Sequence, residues 1–183
     1  MKNIYITGGL GQDGIILKDI FLQTKRFQLF IFGKKKKNLN KSLKKIFIHN
    51  EKKLFLSFEK KKPDIIIHLA ANNPAFGEKN FKTFYIENLK FTKNMLDKAK
   101  FLNSKIKVIF ANSSQIFKSK KGRVNENSIY EVTSDYTKFR IEALKYLEKL
   151  KINYTNLILF NHDSIYRKQK FLIPRIIKAL KNK

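Results

Sequence analysis

Three glycines at a regular interval, Gly8, Gly11 and Gly14, follow a short apolar run from Asn3 to Thr7 and lead into a segment of helical periodicity. A strand, a glycine turn and a helix start, in that order, aim unpaired backbone N–H groups and the positive end of a helix dipole at one point. Such a point suits a phosphate, above all the pyrophosphate of a dinucleotide. Gly8 and Gly11 permit the tight turn and the close approach, and Gly14 lets the helix lie against the strand. A second candidate is a proton-transfer group. Tyr136 and Arg140 are spaced i, i+4 and share a helix face. A cation there favours the phenolate, a base able to take a hydroxyl proton while a nicotinamide takes the hydride. Ser113 falls at the end of a predicted strand, where sites gather in open α/β sheets. The histidines, His49, His68 and His162, are too scattered to propose a metal site, and the chain has no Cys. Thiolate metal centres, disulfides and cysteine nucleophiles are thereby excluded.

Positioning these groups falls to short apolar runs that alternate with helical stretches. The predicted strands are Asn3 to Thr7, Gln28 to Phe32, Lys45 to Ile48, Asp64 to Leu69, Lys107 to Ala111 and Thr155 to Phe160. Alternation of this kind is the signature of βαβ units, hence an α/β three-layer sandwich with a mostly parallel sheet. Ile65-Ile66-Ile67 and Val108-Ile109-Phe110 do not alternate with polar residues, so both faces of their strands should be covered by helices. Three apolar stripes at helical spacing read as core faces: Leu17, Ile20 and Phe21; Phe81, Tyr85, Leu89, Thr92, Leu96 and Ala99; and Phe139, Ala143, Leu147 and Leu150.

Composition narrows the class. The chain has 183 residues, with 40 Lys+Arg against 14 Asp+Glu and a net charge of +26. Lysine dominates and is spread along the chain, the pattern of solvated faces rather than of a basic arm dedicated to nucleic acid. An aromatic content of 13% supplies apolar surface that disordered chains lack. No apolar run reaches the roughly 18 residues of a membrane span. The N-terminus turns glycine-rich where a signal peptide needs an unbroken apolar stretch, so a cytoplasmic protein is expected.

The GxxGxxG spacing resembles that of the extended short-chain dehydrogenase/reductases, the nucleotide-sugar epimerase and dehydratase group. The run Ile6-Thr7-Gly8-Gly9-Leu10-Gly11-Gln12-Asp13-Gly14 is similar to the opening of the GDP-mannose 4,6-dehydratases. The likeness continues in order through Pro63-Asp64, His68-Leu69-Ala70-Ala71 and Ala111 to Gln115, and ends on Leu159-Phe160-Asn161-His162-Asp163-Ser164. It implies a Rossmann-type NAD(P)-binding domain over residues 1–160, with 161–183 beginning a substrate-binding lobe carried only in part. Gly8, Gly11, Gln12, Asp13, Gly14, Leu69, Ala70 and Ala71 would then hold the cofactor. Lys34 and Lys35 correspond to a pair of arginines in that family. With no carboxylate near them, NADP is preferred, NAD being the other candidate. Asn161 would contact a nucleotide-sugar such as GDP-mannose, with Arg167 and Arg175 placed to meet its diphosphate. A homodimer or higher homo-oligomer is implied, through the helices carrying Phe84 and Phe91 and carrying Phe139 and Leu147.

The sequence departs from the family where the chemistry lies. It has no Tyr-x-x-x-Lys pair. Lys138 begins a Lys-x-x-x-Glu run with Glu142, as the family lysine often does, which puts Ser134 in the tyrosine place and Tyr136 two residues beyond it. Ser113 matches the Ser/Thr that bonds the reacting hydroxyl, but Gln115 stands where a dehydratase has Glu, and an amide has no accessible base. The Asp expected after the third strand is replaced by His49 and Asn50. The family reaction is hydride abstraction at the sugar C4, elimination across C5 and C6, and hydride return to C6. Two other readings stay open: a catalytically impaired cofactor-binding pseudoenzyme, and a basic nucleic-acid binder supported only by the charge.

Overall fold

The computed structural model describes residues 1–33, 46–71, 81–119, 122–167, 169 and 171–181. Along the chain run β1 (Lys2–Thr7), α1 (Gln12–Thr24), β2 (Phe27–Phe32), β3 (Phe47–Ile48), α2 (Glu51–Lys60), β4 (Ile65–His68), α3 (Phe81–Leu102), β5 (Lys107–Ser113), α4 (Asp135–Lys149), β6 (Asn153–Leu159) and α5 (Leu172–Lys181). The six strands form one sheet in the order β3-β2-β1-β4-β5-β6, with every neighbouring pair parallel. The chain winds outward from β1 to β3, then crosses back to β4 on the other side of β1. That reversal opens a crevice at the carboxyl ends of β1 and β4, the place where such sheets bind ligands.

Why the strands lack polar alternation is visible in their two faces. Tyr5, Ile66, Val108 and Phe110 join a core with Leu54 and Phe58 of α2, Met95, Leu96 and Ala99 of α3, and Phe139, Ala143 and Leu147 of α4. On the opposite face Ile4, Ile6, Leu29, Ile31 and Ile67 pack with Leu17 and Phe21 of α1. Ile20 departs from its expected stripe and is 51% exposed. It lies about 60° round the helix from Leu17, on the side away from Phe21. Phe139 and Leu147 are fully buried in the chain's own core, so these two side chains do not reach a second subunit. Phe91 stacks on Phe32, with ring centroids 5.1 Å apart. In α5, by contrast, Leu172, Ile173, Ile176, Ile177 and Leu180 are all exposed. Among the described residues no helix is long and apolar enough to cross a membrane.

One buried polar chain ties β1, β4 and α3 together. Thr92 Oγ1 donates to the Asn88 carbonyl at 2.8 Å, which leaves it to accept from His68 Nε2 at 2.9 Å. His68 Nδ1 must then accept the Thr7 hydroxyl at 2.6 Å, and Thr7 Oγ1 in turn accepts the Ala70 N–H at 3.4 Å. Burial keeps the ring neutral, and its one proton is the one that Nε2 gives to Thr92. Burial pushes the His68 pKa down to about 3, helped by the Arg140 charge. Because the folded value lies below the unfolded one of about 6.5, its contribution is complete above that pH and drains away as pH falls. Urea unfolding should therefore show stability dropping as pH falls below about 6.5, by up to about 1.4 kcal/mol per pH unit between about pH 5.5 and pH 4. A His68→Gln variant should be less stable at neutral pH and should lack that part of the slope.

Candidate functional site

The turn after β1 is built by close approach. Gly8 has φ of +73°, which L side chains rarely adopt, and a Cβ there would come within 2.8 Å of the Ala70 nitrogen. A Cβ on Gly14 would lie 2.4 Å from Gly9 Cα and 2.7 Å from the Gly8 oxygen. Gly9, which spacing alone does not single out, is equally confined, since its Cβ would meet Ile31 Cγ2 at 2.4 Å. The need for a double glycine there comes from β2, not from the turn itself. The Gly11 N–H closes the turn on the Gly8 carbonyl at 2.9 Å, and Ile15 N bonds Gly11 O at 3.0 Å to start α1. Gly11 caps the helix with no side-chain hydrogen bond. The first-turn N–H groups therefore face outward for an anion. Gln12 is 7% exposed and its Oε1 has no partner among the described residues. A glycine cradle, an uncapped helix start and a spare buried acceptor together fit a dinucleotide.

The second wall comes from β4 and the residues just beyond it. Leu69 N bonds the Thr7 carbonyl at 3.1 Å and Ala70 N bonds Thr7 Oγ1, so Leu69 and Ala70 run directly beside the glycine turn, with Ala71 next in the chain. Asn50, in the region of the missing acidic residue, is the N-cap of α2, its Oδ1 accepting from Lys53 N at 2.8 Å. Lys34 and Lys35 lie outside the described residues, directly after Gly33.

At the end of β5, Ser113 is 9% exposed, and its Oγ accepts from Gln115 N at 3.2 Å to cap a short turn, Ser114–Ile116. The Gln115 side chain is exposed. Facing them is the start of α4, where Ser134 is the N-cap. Its Oγ accepts from Thr137 N at 3.2 Å while Thr137 Oγ1 accepts from Ser134 N at 3.0 Å, a reciprocal capping box. Ser134, which the resemblance puts in the tyrosine place, thus starts the helix.

Arg140 is drawn inward. It is 6% exposed, donates through Nη1 to the Ala111 carbonyl, and lies over the rings of Tyr136, Phe139 and Phe110. The guanidinium expected beside the Tyr136 hydroxyl engages that residue's ring face instead, 5.1 Å from the centroid, and fastens α4 to β5. Lys138 points to a different side of the helix, its Nζ 5.0 Å from the centroid of the Tyr85 ring on α3. Tyr85 donates to Glu142 Oε2 at 2.7 Å, and burial together with that carboxylate pushes its pKa up to about 12. Lys138 and Tyr136 are therefore not brought together, whereas Arg140 and the strand ending in Ser113 are.

After β6, Asn161 is exposed, and His162 bridges the Phe160 carbonyl at 2.8 Å and Asp13 Oδ1 at 2.9 Å. This contact brings the two most specific stretches of the sequence to one place. Arg167 stacks on Phe171 at 4.0 Å and lines a cavity of about 290 Å³ with Lys178 and Lys181. Arg175 is exposed on α5 and is not among the lining residues.

A model of the NAD dependent epimerase/dehydratase family matches residues 4–183. No curated protein matches the sequence. Among solved structures, a UDP-glucuronic acid 4-epimerase from Bacillus cereus, held with UDP-glucuronic acid and NAD, superposes with a TM-score of 0.81 at 20% identity, over 98% of this chain and 63% of the other. A dTDP-glucose 4,6-dehydratase from Bacillus anthracis in complex with NAD gives 0.80 at 22% identity, over 100% of this chain and 63% of the other. The enzyme WbmH from Bordetella bronchiseptica, with NAD+, gives 0.82 at 18% identity, over 100% and 63%. The chain thus spans less than two thirds of the length of these neighbours.

The glycine contacts separate two substitutions. Gly14→Ala forces backbone apart and should cost about 1–3 kcal/mol in thermal or urea unfolding. Gly11→Ala, whose Cβ meets only the Gly8 oxygen at 3.2 Å, should cost under about 1 kcal/mol.

Proposed function

Because the chain belongs to the NAD dependent epimerase/dehydratase family, we propose that it binds NADP(H) at the glycine turn and takes a nucleotide-sugar, GDP-mannose first among candidates, beside the carboxyl ends of β4 to β6. The observation that carries the reading is the cradle itself: Gly8 against Ala70, Gly14 against Gly9, and an uncapped α1 start at the sheet's point of reversal. Residues 1–160 form the cofactor-binding part, and 161–183 begin the region that meets the sugar nucleotide, with Asn161, Arg167 and Arg175 as its contacts. The lysines that follow Gly33, with no carboxylate near them, favour a 2′-phosphate and so NADP. The protein would work in the cytoplasm as a homo-oligomer.

The nicotinamide supplies a hydride acceptor and donor when bound. Ser113, at the end of β5, is placed to bond a sugar hydroxyl, and Tyr136, in the first turn of α4, is the candidate base. Gln115 supplies no base for the proton beside a C4 ketone, so the step that loses water from C6 has no carboxylate to assist it. Hydride exchange at C4 is the step these residues retain best. The burial of Arg140 and the use of Ser134 as a helix cap favour a second reading, cofactor binding without turnover.

Titration with NADPH and NADH, followed by nucleotide fluorescence, should show both bind, NADPH the tighter. With GDP-mannose added, little 4-keto-6-deoxy sugar should form, and Gln115→Glu should increase it. Cofactor binding with no sugar chemistry in either protein selects the second reading. Failure of both nucleotides to bind overturns the proposal.

A further inference from the structure

His162 has two hydrogen bonds and both are to acceptors. Nδ1 lies 2.8 Å from the Phe160 carbonyl oxygen, and Nε2 lies 2.9 Å from Asp13 Oδ1, which also receives the Gln12 amide at 3.3 Å. Neither a carbonyl nor an ionised carboxylate has a proton to give, so each ring nitrogen must donate. A neutral imidazole has one N–H, so the ring that satisfies this geometry is the imidazolium. Asp13 lies in the first turn of α1. There its negative charge sits at the helix end whose backbone N–H groups would receive a pyrophosphate.

From this arrangement we infer that His162 is a positioning residue of the cofactor site: as an imidazolium it cancels the Asp13 charge beside the phosphate turn and fastens the segment after β6 to α1. The inference rests on the dinucleotide reading of the turn. Among the described residues, two side chains carry charge toward the ring. Asp13 of α1 attracts, while Arg167, five residues along the same segment, opposes. The Phe160 carbonyl bond raises the His162 pKa and Asp13 adds to it, against burial and Arg167. With the folded value above about 6.5, the clasp is fully charged below that pH and is lost as pH rises through the folded value.

The test uses the full chain and NADH, whose pyrophosphate keeps a constant charge over the range and which has no 2′-phosphate to titrate. Long-range proton–nitrogen NMR of the imidazoles should show both His162 nitrogens protonated at about pH 6, with a pKa above 6.5 that falls in Asp13→Asn. NADH affinity should weaken roughly two- to fivefold from about pH 6 to pH 9. In His162→Gln it should be weaker at the low end and flat with pH, and in Asp13→Asn it should stay tight at the high end. A His162 ring with one bare nitrogen at about pH 6, or a slope that survives in His162→Gln, overturns the inference. A doubly protonated His162 in a protein that binds no NADH upholds the clasp and overturns the dinucleotide reading instead.

Discussion

How near the first turn of α1 can come to the end of β1 governs the rest of the molecule. The carbon atoms of Gly14 and Gly9 are so close that no side chain fits between them, and Gly8 lies against the backbone at Ala70 with the same lack of room. This closeness draws three elements into register at once. Strand β1 is one of the two central strands, flanked by β2 and β4, and α1 packs back over Ile4, Ile6 and Ile31. Behind the turn, the Thr7, His68 and Thr92 side chains lock the same region to α3 by bonds whose proton directions admit one arrangement. Packing on one side and directed hydrogen bonds on the other leave the crevice little freedom of shape.

Much of this was legible from residue order. The six strands fall within two residues of the sequence reading at every boundary, because continuous runs such as Ile65 to Ile67 have one physical explanation, a sheet covered on both faces. The glycine turn was readable because its meaning depends on local spacing. What escaped depends on contacts between distant segments. Gly9 is constrained by Ile31, 22 residues on, and nothing near it in the sequence says so. His162, one of three scattered histidines in the sequence, meets Asp13 across 149 positions. Arg140 stands at the right interval from Tyr136, yet an interval fixes only a shared helix face. It does not say that the Ala111 carbonyl and three aromatic rings lie within reach of the guanidinium.

The site therefore combines two kinds of order. Around the glycine turn, Leu69 and Ala70 run beside Gly8 in the close backbone contact that the spacing implies. At the end of β5 and along α4, individual side chains do structural work instead: Ser134 starts a helix, Arg140 joins α4 to β5, and Lys138 lies over Tyr85. Backbone geometry tolerates such exchanges because the helix and strand ends that frame the crevice remain in place whichever side chains they carry. Proton transfer does not, since it depends on single atoms. A fold can thus keep its power to bind long after the atoms needed for a reaction have been reassigned.

The bare apolar side of α5 also bears on how the molecules behave toward each other. Leu172, Ile176 and Leu180 present a greasy ridge, and the polar side of the same helix carries Arg175, Lys178 and Lys181. Two such ridges would bury each other readily if they met, but every molecule has a net charge of +26. Mutual repulsion opposes that contact, and its range is roughly 30 Å at about 0.01 M salt. Near physiological ionic strength that range shrinks to about 8 Å, less than the thickness of the helix with its side chains. Colloidal behaviour is therefore set by a contest between a charge spread over the whole surface and an adhesive strip confined to one helix, with salt deciding which prevails.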